Sequence, residues 1–296
     1  MDQKNVQHAD HRIIDGKKIA EAIHQGVGAQ ARELRARGLE PHLVAVQAGT
    51  DAATAIYIQK QREKFAKLGI RYSHVHEPGD ATLEHLLGTL HGLGARADVT
   101  GILLMQPLPP QIPPSQLEEA IAPEKDVEGV HPINAGLLVH NRHIVAPCTA
   151  LGAFAAIEAT GVPIAGKRAV IVGRSNIVGK PIGLLLLGAR ATVTTCHTAT
   201  RDLAAETRRA EILVVAAGKP GLITGDMVSE GTIVIDVGIH RLEGPPVKTV
   251  GDVDFDSVAP KSSWITPVPG GVGQITVAML ARNTITWATH AAMRKR

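Results

Sequence analysis

The chain has 296 residues, with 44% hydrophobic, 2% aromatic and 20% charged, and a formal charge of +3. That length suits about two domains with aliphatic cores. So balanced a charge, with no Lys/Arg run beyond Arg294-Lys295-Arg296, argues against a nucleic-acid surface. The first 11 residues are polar and no apolar run has membrane-spanning length, so we expect neither a secretion signal nor a membrane anchor. Two distant cysteines, Cys148 and Cys196, form no disulfide framework and no metal-ligand pattern. A cytoplasmic protein without a metal fits.

In chain order, 12–37 reads as a helix after the Asp15-Gly16 start, 42–47 as a strand, and 51–68 as a helix closed by Gly69. A strand at 70–76, a helix at 82–93 and a buried strand at 99–104 follow. The proline-rich loop 106–114 leads to a short helix at 115–122. This β-α-β-α-β alternation predicts a parallel sheet with crossover helices. After Pro147-Cys148-Thr149 a second series opens with a helix at 150–159. Strands then fall near Val170, near Val193, at 213–217 and at 232–237. A helix at 274–293 follows Pro269-Gly270-Gly271-Val272-Gly273 and is expected to return to the first domain. The expected fold class is therefore α/β in two domains: 1–148 with 274–296, and a Rossmann-type domain at 149–273.

The second series carries the most informative stretch, Val170-Ile171-Val172-Gly173-Arg174-Ser175-Asn176-Ile177-Val178-Gly179-Lys180-Pro181. An apolar strand ends in a small-residue turn and opens a helix. Such a turn brings backbone N–H groups and the positive end of the helix dipole to a phosphate. The usual G-x-G-x-x-G spacing is altered, because Ser175 and Val178 replace two glycines. A lone glycine turn also serves simply to join strand to helix. The next strand, 191–198, lacks the carboxylate that binds the ribose of NAD and ends in Thr195, His197 and Thr198. With Arg174 in the turn, that pattern favours the 2′-phosphate of NADP. The other reading of Arg174 is a solvated loop residue. Ala217-Gly218-Lys219-Pro220-Gly221 and Asp236-Val237-Gly238-Ile239 end later strands, where open α/β sheets place ligands. Cys148 reads as a small core thiol and His131 as a structural residue.

Taken in order, these segments resemble one family. Gly101-Ile102-Leu103, Pro107-Leu108-Pro109, Lys125-Asp126-Val127, Pro147-Cys148-Thr149, Gly173-Arg174-Ser175, Gly218-Lys219-Pro220-Gly221, Ile235-Asp236-Val237-Gly238-Ile239 and Thr266-Pro267-Val268-Pro269-Gly270-Gly271-Val272-Gly273 are its carriers. The chain looks like a divergent member of the bifunctional methylenetetrahydrofolate dehydrogenase/methenyltetrahydrofolate cyclohydrolase family. The resemblance covers nearly the whole chain. It implies a folate-binding catalytic domain, a Rossmann-type NADP domain, a folate site in the cleft between them, and a homodimer. The implied activities are NADP-dependent oxidation of 5,10-methylenetetrahydrofolate and hydrolysis of the methenyl product to 10-formyltetrahydrofolate.

Carried over by position, the resemblance gives Gly173, Arg174, Ser175, Ile177, Val178, Thr198, Gly218, Ile239 and Thr276 to the coenzyme. It gives Tyr57, Met105, Glu128, Pro269, Gly270 and Gly271 to the folate, and Tyr57 and Gln61 to the catalytic position; Lys60, by helix spacing, and Gln106, if the loop slips by one, are the candidate stand-ins for the family's Lys and Gln. The departures lie on the folate side. Where the family has a Lys four residues after its Tyr, this chain has Gln61 after Tyr57. Where it has Gln before Leu-Pro-Leu-Pro, this chain has Met105, with Gln106 one place later. Its pterin-binding Asp is Glu128 here.

Ring-opening hydrolysis needs a proton carrier, and an amide cannot titrate. Hydride transfer mainly needs two rings aligned. Weak cyclohydrolase activity is therefore expected. Lys60 and Lys64, three and seven residues after Tyr57, are the nearby ammonium groups on the same helix. Alternative readings are a dehydrogenase for another small substrate, or a non-catalytic nucleotide- or folate-binding paralogue.

Overall fold

In the computed structural model, the described residues are 12–49, 52–245 and 247–294, without the side chains of 52–57 and 60. The elements run α1 Gly16–Ala36, β1 His42–Ala48, α2 Ala52–Lys67, β2 Arg71–Glu77, α3 Leu83–Ala95, β3 Gly101–Leu104, α4 Pro114–Ala120 and α5 Pro132–Val139. There follow α6 Cys148–Glu158, β4 Arg168–Val172, α7 Gly179–Gly188, β5 Thr192–Cys196, α8 Leu203–Arg208, β6 Ile212–Val215 and β7 Ile233–Asp236. The last are β8 His240–Leu242, β9 Lys248–Val250, α9 Phe255–Val258, β10 Trp264–Ile265 and α10 Val272–Arg294. The expected helices and strands are present, with ends moved by a few residues. Among the described residues no helix is long and apolar enough to cross a membrane.

The chain divides into two compact units, Ala22–Ala146 with Leu280–Arg296, and Met1–Glu21 with Pro147–Met279. The segment up to Glu21 and the first part of α10, up to Met279, group with the Rossmann-type unit. The backbone explains this. Ile14 N–H donates to Ile265 O at 2.9 Å and Gly16 N–H to Gly270 O at 3.0 Å. A Cβ on Gly16 would collide with the Gly271 carbonyl, so only glycine permits this approach.

The first unit holds a parallel sheet of order β2-β1-β3. Central β1 is buried along its whole length, as befits a strand covered on both faces. Thr82 caps α3 by accepting from His85 N–H at 3.2 Å, and the helix buries Leu86, Leu90 and Leu93. These pack with Val44, Val46, Ile102, Leu104 and Leu117 in one core. Each such side chain contributes about 1.5–3 kcal/mol by leaving water.

The second unit carries a parallel sheet of order β10-β7-β6-β4-β5. Its core includes Val170, Val172, Leu213, Val215, Val234 and Ile265. Both neighbours of β4 follow it in sequence, β5 on one side and β6 on the other. The order reverses there, and such a switch point opens a crevice at the strand C-termini.

Candidate active site

Of the residues expected to meet the coenzyme, all but Thr276 lie at or just past the C-terminal ends of β4 to β7. Gly173 ends β4 with φ +124°, and a Cβ there would run into the Ala216 carbonyl at the end of β6. The two strand ends approach this closely only because residue 173 lacks a side chain. Arg174, Ser175 and Thr198 are exposed, Val178 is buried, and Ile177 and Ile239 are 51% and 68% exposed. Gly218 turns at φ +71°. Thr276, on α10, is half-buried and its hydroxyl donates to Val272 O at 3.1 Å.

One expectation about this turn is corrected. The N-terminus of α7 does not present unpaired N–H groups. Ser175 Oγ accepts from Val178 N–H at 3.1 Å and Gly179 N–H at 3.4 Å, and Ser175 O accepts from Lys180 N–H at 3.1 Å. The serine in place of the second fingerprint glycine closes the helix end itself. With two N–H groups on its oxygen, its own O–H proton points away from them. The hydroxyl and the exposed Arg174 guanidinium are donors available to an anion at this turn. This strand-end surface fits NADP: a close turn without Cβ, an exposed guanidinium, Thr198 with no carboxylate beside it, and two exposed isoleucines for ring faces.

A buried acidic network holds the loops behind it. Asp236, at the end of β7, accepts from Gly238 N–H at 2.9 Å, Asp252 N–H at 3.0 Å and Val253 N–H at 3.0 Å. Burial pushes its carboxyl up to about 6, against the pull of these N–H donors and with the Asp252 charge adding to the rise. Sequence reasoning had only the Asp-Val-Gly-Ile string to point to Asp236 and no signal for Asp252.

Within the second unit the loop before α10 carries the remaining folate-side glycines. Gly270 has φ +110°. A Cβ on Gly271 would press on Pro267 O at 2.6 Å and Thr266 Cβ at 2.9 Å. Pro269 is exposed.

In the first unit, Tyr57 and Lys60 belong to α2, but their side chains lie outside the described residues. Gln61 sits on the buried stripe of α2 with Ile58 and Phe65, only 2% exposed. Its Oε1 accepts from the Tyr72 hydroxyl at 2.9 Å. Tyr72 in turn packs its ring on Phe65, centroids 5.6 Å apart. Tyr72 escaped sequence reasoning, because the pairing of β2 with α2 is tertiary. Lys64, one turn on, has its pKa lowered by burial. It faces His24 of α1, whose pKa burial and then the Lys64 charge bring down to about 4.

Met105 follows β3 and is 6% exposed, its N–H bound to Val46 O at 2.8 Å. Gln106 is exposed, and its Oε1 accepts from Leu108 N–H at 3.3 Å. Both line a concavity of about 220 Å³ with Gln47, Gly49 and Leu108.

Glu128 stands on a tightly held loop. Asp126, fully buried, accepts from Gly129 N–H at 2.8 Å, His131 N–H at 2.8 Å and Asn134 Nδ2 at 2.9 Å. Asn283 Nδ2 donates to Val127 O at 2.9 Å and Trp287 Nε1 to Asp126 O at 2.9 Å. Lys125 Nζ donates to the carbonyls of Gly94 and Arg96 at the end of α3. His131 caps α5 by accepting from Ile133 N–H at 3.1 Å, the structural role expected of it. Glu128 is pushed up to about 8, by burial first and then by the charges of Asp126 and Glu118, while a backbone hydrogen bond from Leu104 pulls the other way. Both cysteines are buried, and the described residues hold no cluster of His, Cys, Asp and Glu able to bind a metal.

Comparison with known proteins converges on one family. Residues 14–128 match the profile of the tetrahydrofolate dehydrogenase/cyclohydrolase catalytic domain, and residues 147–292 that of its NAD(P)-binding domain. The bifunctional protein FolD of Acidithiobacillus ferrooxidans is 49% identical over 280 residues, 94% of this chain and 96% of that one. The crystal structure of the bifunctional FolD from Campylobacter jejuni superposes with a TM-score of 0.90 at 41% identity, covering 94% and 99% of the two chains. The Trypanosoma brucei enzyme, solved with NADP and an inhibitor, superposes with a TM-score of 0.87 at 36% identity over 95% and 98%. On both sequence and fold, the chain belongs to the tetrahydrofolate dehydrogenase/cyclohydrolase family.

Proposed function

We propose that this protein oxidises 5,10-methylenetetrahydrofolate with NADP, and that it hydrolyses the methenyl product only slowly. The oxidation removes a hydride from the methylene carbon as the folate nitrogens supply the electron push, leaving the methenyl cation. NADP supplies the hydride acceptor when bound. Arg174 and Thr198 are the proposed partners of its 2′-phosphate, with Gly173, Ser175, Ile177, Val178, Gly218, Ile239 and Thr276 around the rest. Tyr57, Met105, Glu128, Pro269, Gly270 and Gly271 are the proposed folate contacts, Glu128 taking the pterin amidine edge. The observation that carries the proposal is Gln61, an amide at the position where the family places its ammonium, buried and held by Tyr72. Hydrolysis adds water to the methenyl carbon, breaks its bond to one nitrogen and releases a proton. A group that cannot titrate does not speed that transfer. Lys60 and Gln106 are the other residues proposed near this step. The resemblance also supports a homodimer working in the cytoplasm.

The test is absorbance of the reduced coenzyme with methylenetetrahydrofolate and NADP or NAD in parallel. We expect kcat/KM at least about tenfold higher with NADP, and most of that margin lost in Arg174→Ala, since a charged hydrogen bond is worth about 1.5–3 kcal/mol. Equal use of both coenzymes contradicts the 2′-phosphate assignment, and no reduction with either contradicts the activity.

A further inference from the structure

The hairpin of β8 and β9 leaves the end of β7 and returns to the middle of the coenzyme-side loops. Its strands pair antiparallel with His240 opposite Val250. Immediately past β9 lies Asp252, fully buried. One of its oxygens, Oδ2, accepts from Ala217 N–H at 2.6 Å and Gly218 N–H at 2.9 Å. The other, Oδ1, accepts from His240 Nε2 at 2.7 Å. The same segment runs beside the loop further on, where Gly221 N–H donates to Gly251 O at 3.1 Å and Ile223 N–H to Asp252 O at 3.1 Å. A Cβ on Gly238 would overlap the Asp252 carboxyl, so the chain before His240 also packs on that group. One carboxylate thus joins the turn after β6 to the residue that follows Ile239.

We infer that His240 is a positioning residue for the coenzyme: through Asp252 it fixes the Ala217–Gly218 turn relative to Ile239. The inference rests on the reading that Gly218 and Ile239 receive NADP, but the clip itself is a property of the loops. The Asp252 carboxylate has two backbone donors on one oxygen, and the His240 ring supplies the donor on the other. Without that ring, Oδ1 is left buried with no donor from the hairpin, and the carboxylate swings toward water and releases the two amides. His240 itself is about one-fifth exposed, 21%, so its replacement leaves the core intact. Asp252→Asn tests the same clip from the other side while preserving shape.

Hydrogen exchange of the ligand-free protein reads the clip, and calorimetric titration with NADP reads its consequence. In His240→Phe the amides of 217 and 218 exchange at least about tenfold faster than in the native chain, and the NADP Kd rises about tenfold. The kcat at saturating NADP and the KM for the folate stay within about twofold, the split expected of lost ground-state coenzyme binding. His240→Asn, which keeps a donor, recovers part of both effects, and Asp252→Asn weakens NADP as His240→Phe does. Native exchange at 217 and 218 in His240→Phe overturns the clip. Faster exchange with an unchanged NADP Kd overturns the positioning role. Native protein that binds no NADP, with the exchange effect intact, overturns the coenzyme reading and leaves the clip standing.

Discussion

Replacing Gln61 by Lys raises methenyltetrahydrofolate hydrolysis by about 10²-fold or more, the range a well-placed proton carrier contributes. Methylene oxidation in the same variant stays within about threefold, because it asks for alignment and no proton transfer at this position. The site is ready for an ammonium. Position 61 is 2% exposed, and burial lowers the pKa of a lysine toward the range where it exchanges a proton at neutral pH. Lys64, one turn further along α2, already shows that direction. The Tyr72 hydroxyl, now donating to Gln61 Oε1, has lone pairs that accept from an ammonium once it rotates. The exchange costs about 1–3 kcal/mol of stability, since an amide hydrogen bond is traded for a desolvated charge. Hydrolysis and reduction are followed on the same preparation. A folded variant with native oxidation and no gain in hydrolysis removes Gln61 from the explanation.

The second large effect is on pH. The folate kcat/KM rises with pH and levels above about 8, where Glu128 has lost its proton. The pterin amidine edge offers two N–H donors and pairs with a carboxylate, so binding below that pH must expel the proton. Each unit below about 8 then costs up to about tenfold in kcat/KM. Glu128→Gln flattens the profile and lowers kcat/KM by about 10²-fold at its upper end, because an amide has one acceptor where two are needed. Stability moves in the opposite direction with pH. The folded carboxyl titrates at about 8 against an ordinary 4.5, so the native state holds an extra proton between these values. Stability is full below the ordinary value and is lost as pH rises through the folded one. Glu128→Gln removes that loss, and urea unfolding at about pH 5 and about pH 9 shows the variant gaining on the native chain at the higher pH. A native profile flat from about pH 6 to about pH 9, with unchanged folate binding in Glu128→Gln, contradicts the assignment.

Much of this was legible in the residues themselves. β6 is a continuous apolar run and β1 is apolar from Leu43 to Val46, both buried throughout, and their alternation with helices identifies a parallel sheet. Gly173 and its flanking strand marked the coenzyme turn. Short elements left too little pattern: α8 has 6 residues and β10 only 2, below the length at which periodicity is visible. The β8–β9 hairpin is mostly polar, and none of its strand residues is fully buried, so it carried no burial signal. In the site, the chemistry of residue 61 was readable and its neighbourhood was not. Tyr72 meets Gln61 across α2 and β2, and Asp252 reaches Gly218 from 34 residues away. Ser175 looked like a missing glycine, yet its hydroxyl does the capping that leaves the helix end closed. Such roles depend on hydroxyl and carboxylate placement after the chain has folded, which spacing along the sequence does not encode.

Oxidation without an efficient ring opening is tested by the decay of methenyltetrahydrofolate. Purified protein is added to the methenyl species without coenzyme, and the loss of its absorbance is corrected for the uncatalysed rate in the same buffer. The expected catalysed rate is at least about 10²-fold below the rate of NADP reduction from methylenetetrahydrofolate. Hydrolysis as fast as oxidation, in protein carrying Gln61, would contradict it.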